Sequence, residues 1–128
     1  MRFHPHHIGI ATEDAHLTAR QWTMLGYHVV RRHIHDKPQG VYVWLLSSPQ
    51  SDVLIELLEP DTPDSPAQQF TKTGYYHMCF EVSNLDLALE YVGATGWKVI
   101  QVPGPAAAFD NRRIAWCYNK QIIELLES

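Results

Sequence analysis

Residues 53–60 read VLIELLEP, and residues 121–128 read QIIELLES. A glutamate stands at the same point of each run, Glu56 in the first and Glu124 in the second. Strand side chains alternate between faces, so Leu54, Glu56 and Leu58 share one face, and Val53, Ile55 and Leu57 the other. Ile122, Glu124 and Leu126 share a face in the same way. A lone carboxylate on an otherwise apolar strand face is costly unless it is protonated, paired or bound to a cation. Meeting that cost at the same place in both runs argues for one cause.

Working outward, the rest of the chain repeats as well. HHIGIAT at residues 6–12 has a counterpart in YHMCFEV at 76–82, and LGYHVV at 25–30 in TGWKVI at 95–100. His7 and His77 stand 70 residues apart, as do Gly26 and Gly96, while Glu56 and Glu124 stand 68 apart. Matches in the same order with so little drift mark a duplicated unit. We take the chain as one domain of two modules, at about 3–59 and 75–127, joined by a linker at about 60–74.

Each module reads as strand, helix, then three strands. The opening strands fall at about 7–11 and 76–82, and the helices at about 13–25 and 85–95. Apolar residues recur at helical spacing from Leu85 to Val92, Asn84 suits an N-cap, and Gly26 and Gly96 suit the C-terminal glycine. The closing strands fall at about 27–34, 41–47 and 53–58, then about 97–102, 113–118 and 122–126, with KPQG, SSPQSD and PGP read as turns. Within the linker, Ser65-Pro66 reads as the start of one or two helical turns. The fold class is α+β, with tandem βαβββ modules forming a curved mixed sheet around a metal-binding cavity.

His7 and His77 each open a strand at equivalent positions. If the modules pack about a pseudo-two-fold axis, His7, Glu56, His77 and Glu124 converge as two imidazoles and two carboxylates. That donor set suits a divalent first-row ion with positions left for substrate. His4, His6, His16, His28, His33 and His35 read as solvated surface.

A formal charge of −4 and a pI near 6.0 argue against a nucleic-acid binder, which needs clustered positive charge. No apolar run is long enough to span a bilayer, and the start MRFHPHHIGI lacks a signal-peptide core, so the expectation is a cytoplasmic protein with no membrane partner. Cys79 and Cys117 lie in apolar runs without a CxxC and read as buried small hydrophobes. No Gly-rich dinucleotide fingerprint is present.

These residues resemble the vicinal oxygen chelate superfamily, the glyoxalase/bleomycin resistance/dioxygenase group, over nearly all of residues 3–127. Within it the chain looks most like the methylmalonyl-CoA epimerases. The strings that carry the likeness are HHIGIAT, PQGVYV, IELLEP, DSPAQQFTKTGYYHMCFEV and IIELLE. The resemblance implies one divalent metal ion (cobalt, nickel, manganese, zinc or iron) held by His7, Glu56, His77 and Glu124. It implies an isomerase or lyase acting through an enolate next to a carbonyl, with Glu124 as principal base and Glu56 as its counterpart. The implied substrate is a small molecule of the acyl-CoA or glutathione thioester class, and the implied assembly a homodimer. Tyr42, Trp44, Tyr75, Trp116 and Tyr118 are candidates to line the cavity, and Arg31, Arg32, Lys98, Arg112 and Arg113 to meet CoA phosphates. Trp44 and Arg113 are carried forward as the substrate-binding pair. Epimerases usually carry a Gly-rich segment with a histidine before the seventh strand and a His-Pro after it, where this chain has PAAAFDNRR and CYNK. A glyoxalase I-like lactoylglutathione lyase, a ring-cleaving dioxygenase and a ligand-sequestering binding protein are the alternatives within the superfamily.

Overall fold

The computed structural model describes residues 1–128, apart from the side chain of Val102. The strands are β1 (His4–Ala11), β2 (His28–Asp36), β3 (Val41–Ser48), β4 (Ser51–Pro60), β5 (Tyr75–Val82), β6 (Lys98–Ala106), β7 (Arg112–Tyr118) and β8 (Ile122–Glu127). The helices are α1 (Ala15–Thr23) and α2 (Leu85–Ala94), and short 3-10 turns lie at Pro66–Phe70 and Ala107–Phe109. Two compact units divide the chain. The N-terminal unit holds His7–Tyr76, and the C-terminal unit holds Met1–His6 with His77–Ser128.

In the N-terminal unit the strand order is β2-β3-β4-β1. β1 runs parallel to β4, while β2/β3 and β3/β4 are antiparallel. In the C-terminal unit the order is β5-β8-β7-β6, again with one parallel pair, β5/β8, and antiparallel pairs elsewhere. Both units are therefore α+β with mixed sheets, as the duplicated pattern predicts.

The duplication extends to single hydrogen bonds. Asp14 caps α1 by accepting from the Leu17 N–H at 3.0 Å, and Asn84 caps α2 by accepting from the Leu87 N–H at 3.0 Å. Each helix's first N–H then finds a carboxylate from the end of the last strand. Ala15 donates to Glu59 Oε1 and Leu85 to Glu127 Oε2, both at 2.8 Å. Those acids satisfy orphan N–H groups at the positive end of each helix. At the other end Gly26 (φ +95°) and Gly96 (φ +99°) adopt the conformation that L side chains avoid, which terminates both helices. α1 is accordingly shorter than the expected 13–25, because Asp14 is spent on the cap.

Two expectations change at the edges. β1 begins at His4 rather than His7, and PGP lies inside β6, not in a turn. Prolines are tolerated there because β6 is an edge strand whose pairing with β7 slips twice, between Val99 and Gln101 and between Gln101 and Gly104.

Each helix packs on one face of its own sheet. Ala15 and Ala19 of α1 meet Trp44, Leu46, Ile55 and Leu57. Leu85, Ala88 and Val92 of α2 meet Ala115, Cys117, Ile123 and Leu125. Leu125 is fully buried, so Leu125→Ala should lower stability by about 2–5 kcal/mol, read as a fall in the denaturant midpoint at constant slope. A change below 1 kcal/mol would place Leu125 outside a close-packed core. Cys79 and Cys117 are buried and not joined in a disulfide, as expected of small core residues, and burial pushes the Cys117 thiol above its ordinary pKa.

Candidate functional site

The faces turned away from the helices carry the polar residues that the sequence singles out. In the N-terminal unit Gly9 of β1 is in register with Glu56 of β4, and His7 with Leu54. His7 therefore lies two residues before Glu56's partner, on the same face. Its Nε2 stands 3.2 Å from Glu56 Oε1, with the side chains 0% and 5% exposed. The C-terminal unit repeats this arrangement. Cys79 is in register with Glu124, and His77 lies two residues before Cys79. His77 Nε2 stands 3.5 Å from Glu124 Oε1, with exposures of 0% and 4%.

Both separations exceed the roughly 2.7–2.9 Å of a charge-assisted N–H···O bond. Two donors each about 2.1 Å from one ion and about 90–109° apart lie about 3.0–3.4 Å from each other. An imidazole nitrogen and a carboxylate oxygen are also the donors that divalent first-row ions prefer. The 3.2 Å pair falls within that range and the 3.5 Å pair just beyond it.

The tryptophan beside these groups is Trp116, not Trp44. On β3, Leu45 is the partner of Glu56 and Trp44 the partner of Leu57, so Trp44 faces α1 on the opposite side of the sheet. On β7, Trp116 is opposite Glu124, and its ring meets that of His77 edge-on at 4.6 Å. Arg113 is likewise turned toward α2. It donates to Asp86 Oδ1 at 3.0 Å and lies 3.5 Å from Glu127 Oε1. The hydrogen bond to Asp86 raises the guanidinium pKa above its usual value, with Asp86 and Glu127 adding their charge. The adjacent Arg112 lies on the face of Trp116, ion-paired with Glu81 and donating to the Glu127 carbonyl at 2.8 Å. The expected substrate-binding pair of Trp44 and Arg113 is thus one residue out of phase with the histidines and glutamates. Tyr75 and Tyr118 are exposed, and Tyr42 stacks on His33 and His35.

The sequence profile of the glyoxalase/bleomycin resistance protein/dioxygenase superfamily matches residues 6–116. The chain belongs to this superfamily. The match contains His7, Glu56 and His77 and stops before Glu124. A methylmalonyl-CoA epimerase from Mycobacterium tuberculosis has the same fold, with a TM-score of 0.84 at 26% identity over 97% of this chain and 87% of that one. A Streptomyces coelicolor methylmalonyl-CoA epimerase bound to 2-nitronate-propionyl-CoA superposes with a TM-score of 0.81 at 24% identity, over 98% and 96% of the two chains. A hypothetical protein from Bacillus halodurans superposes with a TM-score of 0.86 at 23% identity, over 100% and 96%. No curated protein sequence is significantly similar to this chain. Among the described residues no helix is long and apolar enough to cross a membrane.

Proposed function

We propose that this member of the superfamily is a metal-dependent epimerase that moves the proton next to a thioester carbonyl, with an acyl-CoA of the methylmalonyl type as substrate. The observation that carries the reading is the buried His–Glu pair, found in both units at the same register. We assign His7, Glu56, His77 and Glu124 as ligands of one divalent ion. Such an ion supplies Lewis-acid polarisation of a carbonyl, which lowers the cost of developing negative charge there.

The chain's own residues supply the rest. Glu124 accepts the proton from the carbon beside the carbonyl, and Glu56, from the other module, is its counterpart for return to the opposite side. Epimerisation needs two proton-transfer groups, and the duplication provides two carboxylates. Trp116 fixes the His77 ring from the side and excludes water around it. Solvent deuterium appearing at the α-carbon of a methylmalonyl-type thioester tests the reading, and metal-loaded protein that leaves the substrate unlabelled would refute it. A glyoxalase-type lyase rests on the same donor set, and labelling of a hemithioacetal in place of the thioester would favour it.

The epimerase likeness also supports a homodimer. Light scattering should give twice the 14.7 kDa chain mass, and the mass of a single chain at micromolar concentration would contradict it.

A further inference from the structure

A concave feature lies in the N-terminal unit, on the side of the sheet that faces α1. It is a cleft of about 350 Å³ lined by His16, Arg20 and Thr23 of α1, Arg32 of β2, and a floor of Ala19, Val29 and Trp44. The α1 residues recur at helical spacing, so His16, Ala19, Arg20 and Thr23 form one stripe along the helix. The lining holds two guanidinium groups and an imidazole but no carboxylate, in a chain whose formal charge is −4. Among the described residues neither Arg20 nor Arg32 has a carboxylate partner.

The floor is organised around Trp44. Its ring is met edge-on by His16 at 4.8 Å and covered by the Arg32 guanidinium at 5.3 Å. Trp44 is 2% exposed, and its indole N–H has no acceptor in the structure. A buried donor without an acceptor is uncommon and calls for a partner. Arg32 itself lies where the pairing of β2 with β3 slips between Arg31 and Ile34, beside His33 at φ +53°. Such bulges re-aim side chains.

The duplication provides an internal control. The positions equivalent to His16, Ala19, Arg20 and Thr23 carry Asp86, Leu89, Glu90 and Gly93, and Trp44 is replaced by Ala115. The fold therefore does not require a basic stripe here, and the second copy has the opposite charge.

We propose that this cleft binds a phosphate-bearing anion, specifically a diphosphate group. Two arginine forks match phosphate oxygens in geometry as well as charge, and the His16 ring adds a further donor. A volume near 350 Å³ is at the lower end of small-ligand sites, enough for a diphosphate with a small adjoining group. The site lies on the opposite face of the sheet from Glu56, so it stands whether or not the epimerase reading does.

Pyrophosphate is the probe, titrated calorimetrically into metal-loaded protein at constant ionic strength in chloride. One saturable site per chain is expected, with binding weakened about 10- to 100-fold by Arg20→Gln and by Arg32→Gln. Lys37→Gln, which removes a charge of the same unit that does not line the cleft, should bind as the unaltered chain does. Unchanged melting temperatures would show that the variants are folded. No binding at about 10 mM pyrophosphate would overturn the proposal, as would cleft variants that bind normally or an equal loss in Lys37→Gln. Repeating the titration with saturating coenzyme A separates the sources. Competition identifies the diphosphate of the nucleotide end, and independent binding identifies a free diphosphate compound.

Discussion

Glu124→Gln should slow solvent deuterium exchange at the α-carbon of a methylmalonyl-type thioester by about 10²- to 10⁴-fold, the usual contribution of a positioned general base. Glutamine keeps the shape and one oxygen of the side chain but cannot accept the proton. The loss should therefore fall on the turnover rate more than on substrate affinity. Glu124 has the surroundings that such a base needs: it is 3% exposed, paired with His77, and opposite Trp116. Glu56→Gln should slow inversion at that carbon, because return of the proton to the opposite side is the role proposed for the second carboxylate. If Glu124→Gln exchanges at the unaltered rate while still holding metal, the base lies elsewhere.

The frame of the site was legible because two periodicities agree. The 70-residue spacing of His7 and His77 and the strand parity of Glu56 and Glu124 identify residues that do pair within each unit, at 3.2 and 3.5 Å. Asp14 and Asn84 are 70 apart, but only Asn84 precedes a strongly apolar helix. α1 is poorer in apolar residues, so its periodicity does not mark where it starts, at Ala15.

Trp44 and Arg113 failed on parity across a hairpin. Which residue of β3 faces Glu56 depends on how the loop between the strands is closed, and a one-residue change exchanges the faces. Leu45 is the partner of Glu56, and the ladder slips between Leu46 and Ser48, which loop composition does not reveal. On β7 and β8 the turn at Lys120 (φ +60°) sets Trp116 against Glu124, so Arg112, not Arg113, shares that face. The basic stripe of α1 is not legible in the sequence for a different reason. His16 and Arg20 look solvated one by one, and only the folded position of Arg32 and Trp44 makes a cleft of them.

His77→Ala and Glu56→Ala should each abolish stoichiometric metal binding, although they alter residues of different units. Each removes one first-sphere donor of a proposed four-donor set, and the remaining donors in that unit then lack their partner. Losing one ligand commonly costs a site most of its affinity, because the ion must replace a fixed donor with water while the other donors stay desolvated. The expected effect is larger than weakened binding in one half. If the two His–Glu pairs share one ion, as proposed, damage to either empties the whole site.

Metal content per chain tests that claim most directly. Protein dialysed against a divalent first-row ion and analysed by elemental mass spectrometry should hold one ion per chain, falling to near zero in His7→Ala and in His77→Ala alike. Two ions per chain, with each variant keeping one, would mean that the pairs bind separately and would contradict the account.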